Sequence, residues 1–309
     1  MNITNVVFTK NRPMQLHGYL ESLRRFYPSD KIHTIVLYKE DLFGNEYEML
    51  FREFSGITVV REHDFHSDFL RIISDINTEY VLFGVDDVLF FDSVPLKLIE
   101  RAFNSHAKAM YGFSLRIGPN EQIKNDIDAG NLSKQRWDDQ EYYLLDWTRG
   151  LSPVSSYPFE LCATVYKTEE IRRLIECTMK GGPLMRRIFA PSSLATKIIS
   201  KLSSRKKTLR LFGYFYNPNT FESWCCRYVK RHDDEFGHYL GFQKICASAV
   251  QLNLVNTSTN TDWVGDRDLT VESLNEHYKN GKKIDIDYLV DNKPQATHVE
   301  KEYFKITRI

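Results

Sequence analysis

From Asn5 to Val85 the sequence alternates short runs of β-branched and aromatic residues with longer stretches whose apolar residues recur three and four positions apart. That alternation leaves few folds open. Asn5–Phe8, Ile32–Leu37, Ile57–Val60 and Tyr80–Val85 read as strands, and Met14–Phe26, Glu46–Phe54 and Phe65–Ile76 as helices. In the first helix Leu16, Tyr19, Leu20, Leu23 and Phe26 share a face; in the third, Phe69, Ile72, Ile73 and Ile76 do. Strand–helix alternation of this kind predicts an α/β fold with a parallel sheet between helices. Neither a GxGxxG nor a GxxxxGK[ST] phosphate loop is present.

The fourth strand carries the chemistry. In YVLFGVDDVLFF (Tyr80–Phe91) a near-continuous apolar run, the mark of a strand buried on both faces, ends in two adjacent acids, Asp86 and Asp87. Neighbouring carboxylates repel, and a hard divalent cation shared with a ligand's phosphates relieves that repulsion. Strand C-terminal ends are also where open α/β sheets place ligands. The same pair also fits a solvated turn that caps the segment Asp92–Phe103.

Beyond it, Val94–Phe103 reads as a helix, Ala109–Ser114 as a strand, the polar stretch Gly118–Asp139 as a long loop, Leu161–Tyr166 as a strand and Thr168–Met179 as a helix. Gly181–Gly213 holds eight lysines and arginines and no acid, interleaved with apolar residues. This amphipathic basic insertion suits an anionic membrane surface or phosphates, and equally a solvated helix pair. We divide the chain into a catalytic domain over 1–262, with the insertion at about 181–213, and a C-terminal extension over 263–309 packing on it.

Composition narrows the partners. The 41 basic and 41 acidic residues cancel, so there is no global electrostatic case for nucleic acid. Five cysteines without CxxC spacing read as reduced packing residues. No run approaches the roughly 18 apolar residues of a spanning helix, and the first residues lack the pattern of a signal peptide. The expected location is cytoplasmic, with peripheral contact at the inner face of the membrane through 181–213.

Taken together, VVFTKNRPMQLHGYLESL, YVLFGVDDVLFF, YPFELCATVYKTEEI and NPNTFESWCCRYV, with LNEHYKNGKKIDIDYL and ATHVEKEYF near the end, resemble bacterial glycosyltransferases of the GT-A fold, especially family 2-like enzymes of surface-glycan synthesis. The resemblance covers most of the chain, and the order of the motifs carries it more than any one of them. Two positions depart from the pattern: Val85 stands where many relatives begin a run of three acids, and Phe221 where an aspartate often precedes the catalytic acid.

The resemblance implies a mixed, mostly parallel sheet flanked by helices and a metal-dependent, inverting transfer from a nucleotide-sugar donor to a hydroxyl of a glycan or lipid-linked acceptor. Thr9, Lys10, Asn11 and Arg12 in the loop after the first strand, with Asp86, would meet the donor; Asp86 and Asp87 would hold Mn²⁺ or Mg²⁺; Glu222 would be the general base. Glu160 and Asp146 are rival bases. Asn219 with Glu222 three residues on also reads as a helix capping box, and a position at the helix start would lower the Glu222 pKa. His238 and His298 stand where some relatives carry a late metal-binding histidine, and neither is placed in the site. Trp137, Trp147 and Trp224 suit stacking on a sugar or, more simply, core packing. A sugar-phosphate nucleotidyltransferase and a non-catalytic carbohydrate-binding protein are the competing classes; FTKNRP lacks the glycine of the former's phosphate loop.

Overall fold

The computed structural model describes residues 1–28, 30–179, 214–253 and 269–308. The alternation read from the first 85 residues is realised element by element: β1 (Ile3–Lys10), α1 (Pro13–Phe26), β2 (Ile32–Lys39), α2 (Gly44–Glu53), β3 (Thr58–Arg61), α3 (Phe65–Asp75) and β4 (Tyr80–Val85). There follow β5 (Val88–Phe90), α4 (Leu96–Ser105), β6 (Met110–Ser114), α5 (Lys124–Asp128), β7 (Leu132–Trp137), β8 (Gln140–Asp146), β9 (Thr164–Lys167) and α6 (Thr168–Thr178). Beyond the basic segment 181–213, which lies outside the described residues, come α7 (Pro218–Arg231), β10 (Tyr239–Phe242) and β11 (Ala247–Val250). The chain closes with α8 (Val271–Lys279), β12 (Lys282–Ile284), α9 (Ile286–Asn292), β13 (His298–Val299) and β14 (Ile306–Arg308).

Among the described residues the central sheet has the order β3-β2-β1-β4-β9-β6-β10-β8-β7. Its pairings run β3, β2, β1, β4, β6, β10 and β7 one way and β9 and β8 the other, so the sheet is mixed and mostly parallel, as expected. Alternate side chains build a core on each face. Val7, Val36 and Leu82 pack with α1, α2, α4 and the C-terminal segment; Val6, Phe8, Ile35, Leu37, Val81 and Phe83 pack with α3, α6 and α7.

Two readings are corrected. The stretch Gly118–Asp139 is not one loop, because Leu132–Trp137 pairs with Gln140–Asp146 as an antiparallel hairpin turned at Asp138 (φ 52°). Its Ser133, Lys134 and Arg136 show no apolar face because β7 is the sheet's exposed edge. The cap of α7 is Asn217, not Asn219: Asn217 and Thr220 form the capping box, with Pro218 in the first turn. Glu222 is thereby released from any capping role.

A second sheet, β13-β11-β5, positions the end of the chain. β5 follows the paired acids directly, β11 runs antiparallel to it, and β13 runs parallel to β11. Thr297 and His298 are thus carried to the same end of the main sheet as Asp86 and Asp87. Residues 269–308 also pack on α1, with Lys283 on Glu21 at 2.6 Å and Arg25 on Asp287 at 2.5 Å.

Candidate active site

The parallel register sets Phe8 beside Val85, and the Asp86 amide donates to the Phe8 carbonyl at 3.2 Å, so the loop after β1 lies against the paired acids. Thr9 Oγ1 donates to Asp86 Oδ2 at 2.8 Å and Arg12 Nη1 to Asp86 Oδ1 at 2.8 Å. The same Nη1 stands 3.7 Å from Asp87 Oδ2, while Nη2 donates to the Asn253 carbonyl. The Tyr47 hydroxyl accepts from the Arg12 amide and bonds the Thr9 hydroxyl, each at 2.9 Å. Burial opposes the Arg12 charge, yet Asp86 and Asp87 hold its pKa above the ordinary value.

Thr9, Arg12 and Asp86 therefore form one buried cluster. The other two loop residues turn away from it. Asn11, in the left-handed region at φ 53°, accepts from the Asp41 and Leu42 amides at 2.9 and 3.1 Å, and Lys10 pairs with Asp41 at 3.4 Å near solvent.

The two acids are unequal. Both carboxylate oxygens of Asp86 are engaged by Thr9 and Arg12, and the residue is buried. Asp87 is half-buried; burial pushes its carboxyl up, Arg12 draws it down and Asp86 pushes it up. Among the described residues no three His, Cys, Asp or Glu side chains gather to hold a metal. The donor set fits a divalent cation in one form only, a single Asp87 carboxylate completed by a ligand's phosphate oxygens and water, which is a normal arrangement for Mg²⁺.

Antiparallel to β4, β9 brings a second group of residues to the same end of the sheet. Phe83 pairs with Thr164, the Ala163 amide donates to the Phe83 carbonyl at 2.9 Å, and Ala163 takes φ 51° to make the turn. Tyr157, Pro158, Glu160 and Cys162 therefore border a cavity of about 330 Å³. Glu160, Glu222, Arg116, Tyr157 and His298 face into it. Glu222 Oε1 accepts from the Tyr157 hydroxyl at 2.8 Å and Oε2 from the Leu161 amide at 3.1 Å.

Burial and the nearby Glu160 push the Glu222 carboxyl above its ordinary range, against the two hydrogen bonds and Arg116. The lowering expected from the helix start is overturned, since a desolvated carboxylate costs more than a helix terminus returns.

Arg116, just beyond β6 and buried, fixes the far wall. Its Nε donates to the Cys162 carbonyl at 2.8 Å, Nη1 to the Thr297 carbonyl at 2.9 Å, and Nη2 to the Glu160 carboxylate. Burial opposes its charge, but Glu160 holds its pKa above the ordinary value. Glu160 also accepts from Thr164 Oγ1 at 2.6 Å. His298 Nε2 lies 3.4 Å from Arg116 Nη1 and must accept, so the ring proton sits on Nδ1, 3.2 Å from Thr297 Oγ1. Desolvation and then Arg116 push His298 down to about 4; because its ring is exposed at the cavity rim, solvent screens part of that effect.

The acid pair does not line the cavity but lies within electrostatic reach of it, since Arg116 on the cavity wall draws the Asp87 carboxyl down. Cys162, also on the wall, feels both groups: burial pushes its thiol up, Arg116 draws it down, and Glu222, Glu160 and Asp87 push it up.

Of the rival bases Glu160 is in the cavity, whereas Asp146 accepts from the Thr148 amide and hydroxyl as a local cap. His238 bonds the Asp233 carbonyl at 2.8 Å and takes no part. Trp147 is core, its Nε1 on the Gly237 carbonyl, and Trp137 and Trp224 pack on core clusters. Cys225 and Cys226 are buried packing residues. Arg116 and Tyr157 went unnoticed in the sequence. An arginine directly after a buried strand is a local signal, but its partners at 160 and 297 are far along the chain.

No family model matches this chain. In sequence it is similar to the bifunctional glycosyltransferase pgtA of Dictyostelium discoideum, 24% identical over 196 residues, which is 57% of this chain and 25% of that protein. The chain thus spans about a quarter of the length of this relative. Among solved structures, Staphylococcus aureus TarS residues 1–349 overlaps 56% of this chain and 49% of its own at TM-score 0.39 and 13% identity. The same fragment in complex with UDP overlaps 56% and 48% at TM-score 0.37 and 14% identity. Among the described residues no helix is long and apolar enough to cross a membrane.

Proposed function

We propose that the chain is an inverting glycosyltransferase that moves a sugar from a nucleoside-diphosphate donor held at Asp87 and Arg12 to a hydroxyl of an acceptor in the cavity at Glu222. One observation carries the reading: a desolvated carboxylate with a raised pKa, Glu222, faces a cavity whose wall residues Arg116 and Cys162 lie within electrostatic reach of Asp87, the half-buried acid following β4. The likeness to a glycosyltransferase sequence supports it.

In this scheme the acceptor oxygen attacks the anomeric carbon, its proton passes to a Glu222 oxygen, and the bond from that carbon to the phosphate oxygen breaks with its electron pair leaving on the diphosphate. Configuration inverts, because attack and departure are on opposite faces. A carboxylate raised toward neutrality is a stronger proton acceptor than an ordinary one. Tyr157 and the Leu161 amide fix its orientation. A divalent cation bound by Asp87 and the donor phosphates would act as Lewis acid for the leaving group. Asp86 serves this site indirectly: by engaging Arg12 and Thr9 it shapes the loop against which the donor lies.

Calorimetric titration with nucleoside diphosphates, with and without Mn²⁺, is the test, followed by donor hydrolysis. We expect binding that strengthens with the ion and is lost in Asp87→Asn, and hydrolysis that is lost in Glu222→Gln while binding persists. Pyrophosphate release from a nucleoside triphosphate and a sugar phosphate would instead identify a nucleotidyltransferase. A folded protein that binds no nucleoside diphosphate would be a non-catalytic one.

A further inference from the structure

We infer that the acceptor unit entering the cavity is an uncharged, hydroxyl-rich ring, and that anionic rings are excluded; this rests on the glycosyl-transfer reading of the same site. The cavity's charge pattern points there. Its arginine, Arg116, is committed within the protein: Nε and Nη1 to two backbone carbonyls, Nη2 to Glu160. His298 presents a ring that accepts from Arg116 and carries no charge. Among the described residues no lysine lines the space.

Two carboxylates, Glu160 and Glu222, face inward, and Arg116, already compensated, is the cation among the described lining residues. A uronate or sugar phosphate would therefore bring a third negative charge into a partly desolvated space where, among the described lining residues, no uncommitted cation meets it, Lys230 standing outside the lining on the Tyr157 ring. Like charges brought together there repel. Hydroxyl groups, by contrast, find carboxylate oxygens that each hold one donor and keep a lone pair for another. Ile117, Pro153, Val154, Pro158 and Leu240 also line the space and offer apolar surface to the C–H face of a sugar ring. At about 330 Å³ the cavity sits at the small end of the range for ligand sites, about 300–1,000 Å³. An amino sugar would ion-pair with Glu222 and occupy the proton acceptor, so it should bind without being glycosylated.

The test uses the whole chain with the donor whose hydrolysis it catalyses. Matched acceptors are compared in the glucose, galactose and mannose series: the methyl glycoside, its 6-carboxylate, its 6-phosphate and its 2-amino analogue. A neutral glycoside should accelerate donor consumption, and its carboxylate and phosphate should show kcat/KM at least about tenfold lower. Preference for an anionic member, or donor hydrolysis that no member accelerates, overturns the inference while leaving glycosyl transfer standing. Absence of donor binding and of hydrolysis removes both. Glu160→Gln, which releases Arg116, should narrow the neutral-to-carboxylate ratio severalfold; an unchanged ratio in the folded variant overturns the charge assignment. If that variant does not fold, the wild-type ratio alone decides.

Discussion

The Tyr157 hydroxyl donates to Glu222 Oε1 at 2.8 Å, and this bond works against the burial that pushes the Glu222 carboxyl up. Tyr157 is placed by the 157–162 segment that Arg116 braces through Glu160 and the Cys162 carbonyl. The proton acceptor and the cavity wall are thus set by one stretch of chain.

Tyr157→Phe removes a donor to the charged form of Glu222, so the carboxyl rises further. The acid limb of the pH–kcat/KM profile should move to higher pH, with kcat reduced about tenfold, less than the roughly 100- to 10,000-fold of losing a general base outright. Donor affinity should stay as in the wild type. An unmoved acid limb would show that Glu222 does not take the proton.

Asp86 and Asp87 should separate in mutagenesis despite being neighbours. Asp86→Asn weakens the hold on Arg12 and Thr9, both buried, and should lower Tm by several degrees as well as weaken donor binding. Asp87→Asn removes a half-buried carboxylate whose pKa burial has raised, so the fold should be kept or strengthened while ion-dependent nucleotide binding disappears. Thermal melts and calorimetry on the two variants would distinguish them. Equal loss of stability in both would contradict the unequal roles.

Arg12 is the cation between those acids and the Asn253 carbonyl. Arg12→Ala leaves two adjacent carboxylates without it, and breaking a buried pair from one side typically costs about 3–5 kcal/mol. Denaturant titration should show a loss of that order, and Arg12→Lys, which cannot span both acids and the carbonyl with a planar fork, should recover only part of it.

Much of this arrangement was legible because it is local or periodic. The strands β1 to β4, the loop Thr9–Arg12 and the acids Asp86 and Asp87 could be read because alternating patterns fix which strand ends meet, and the parallel register then brings Phe8 to Val85. Glu222 was legible as a candidate, but its cap was misplaced. Asn217-Pro218 was the available signal, a capping residue followed by proline at the first helical position. The hairpin β7–β8 was missed because an exposed edge strand carries no apolar face. Arg116 and His298 come together across 182 residues through a buried polar contact, and no periodicity records such a contact.

Gly84 tests how closely the site depends on the packing beneath it. A Cβ at this position would lie 2.1 Å from the Tyr19 hydroxyl oxygen, which is held by Asn5 at 2.8 Å. Both residues are in the core, so the ring has little room to move. Gly84→Ala should cost about 1–3 kcal/mol in denaturant titration, the usual range for overpacking. It should also weaken donor binding, because Gly84 is two residues from Asp86 in β4.

Glu222→Gln carries a prediction about stability as well as activity. Because burial raises the Glu222 carboxyl in the folded protein, between its unfolded and folded pKa values the folded state holds a proton that the unfolded chain has already released. Whatever stability this group contributes is fully present below its unfolded pKa, about 4.3, and is lost as pH rises through the folded pKa. Glutamine, uncharged throughout, escapes that loss. At pH 7 the variant should therefore melt higher than the wild type, and the difference should shrink toward zero as pH falls to about 4. Melts across that window decide the point: a variant less stable than the wild type at pH 7 would mean that Tyr157 and the Leu161 amide stabilise the carboxylate more than burial penalises it. Glu222 would then sit at or below an ordinary carboxyl and be a weaker proton acceptor than the geometry implies.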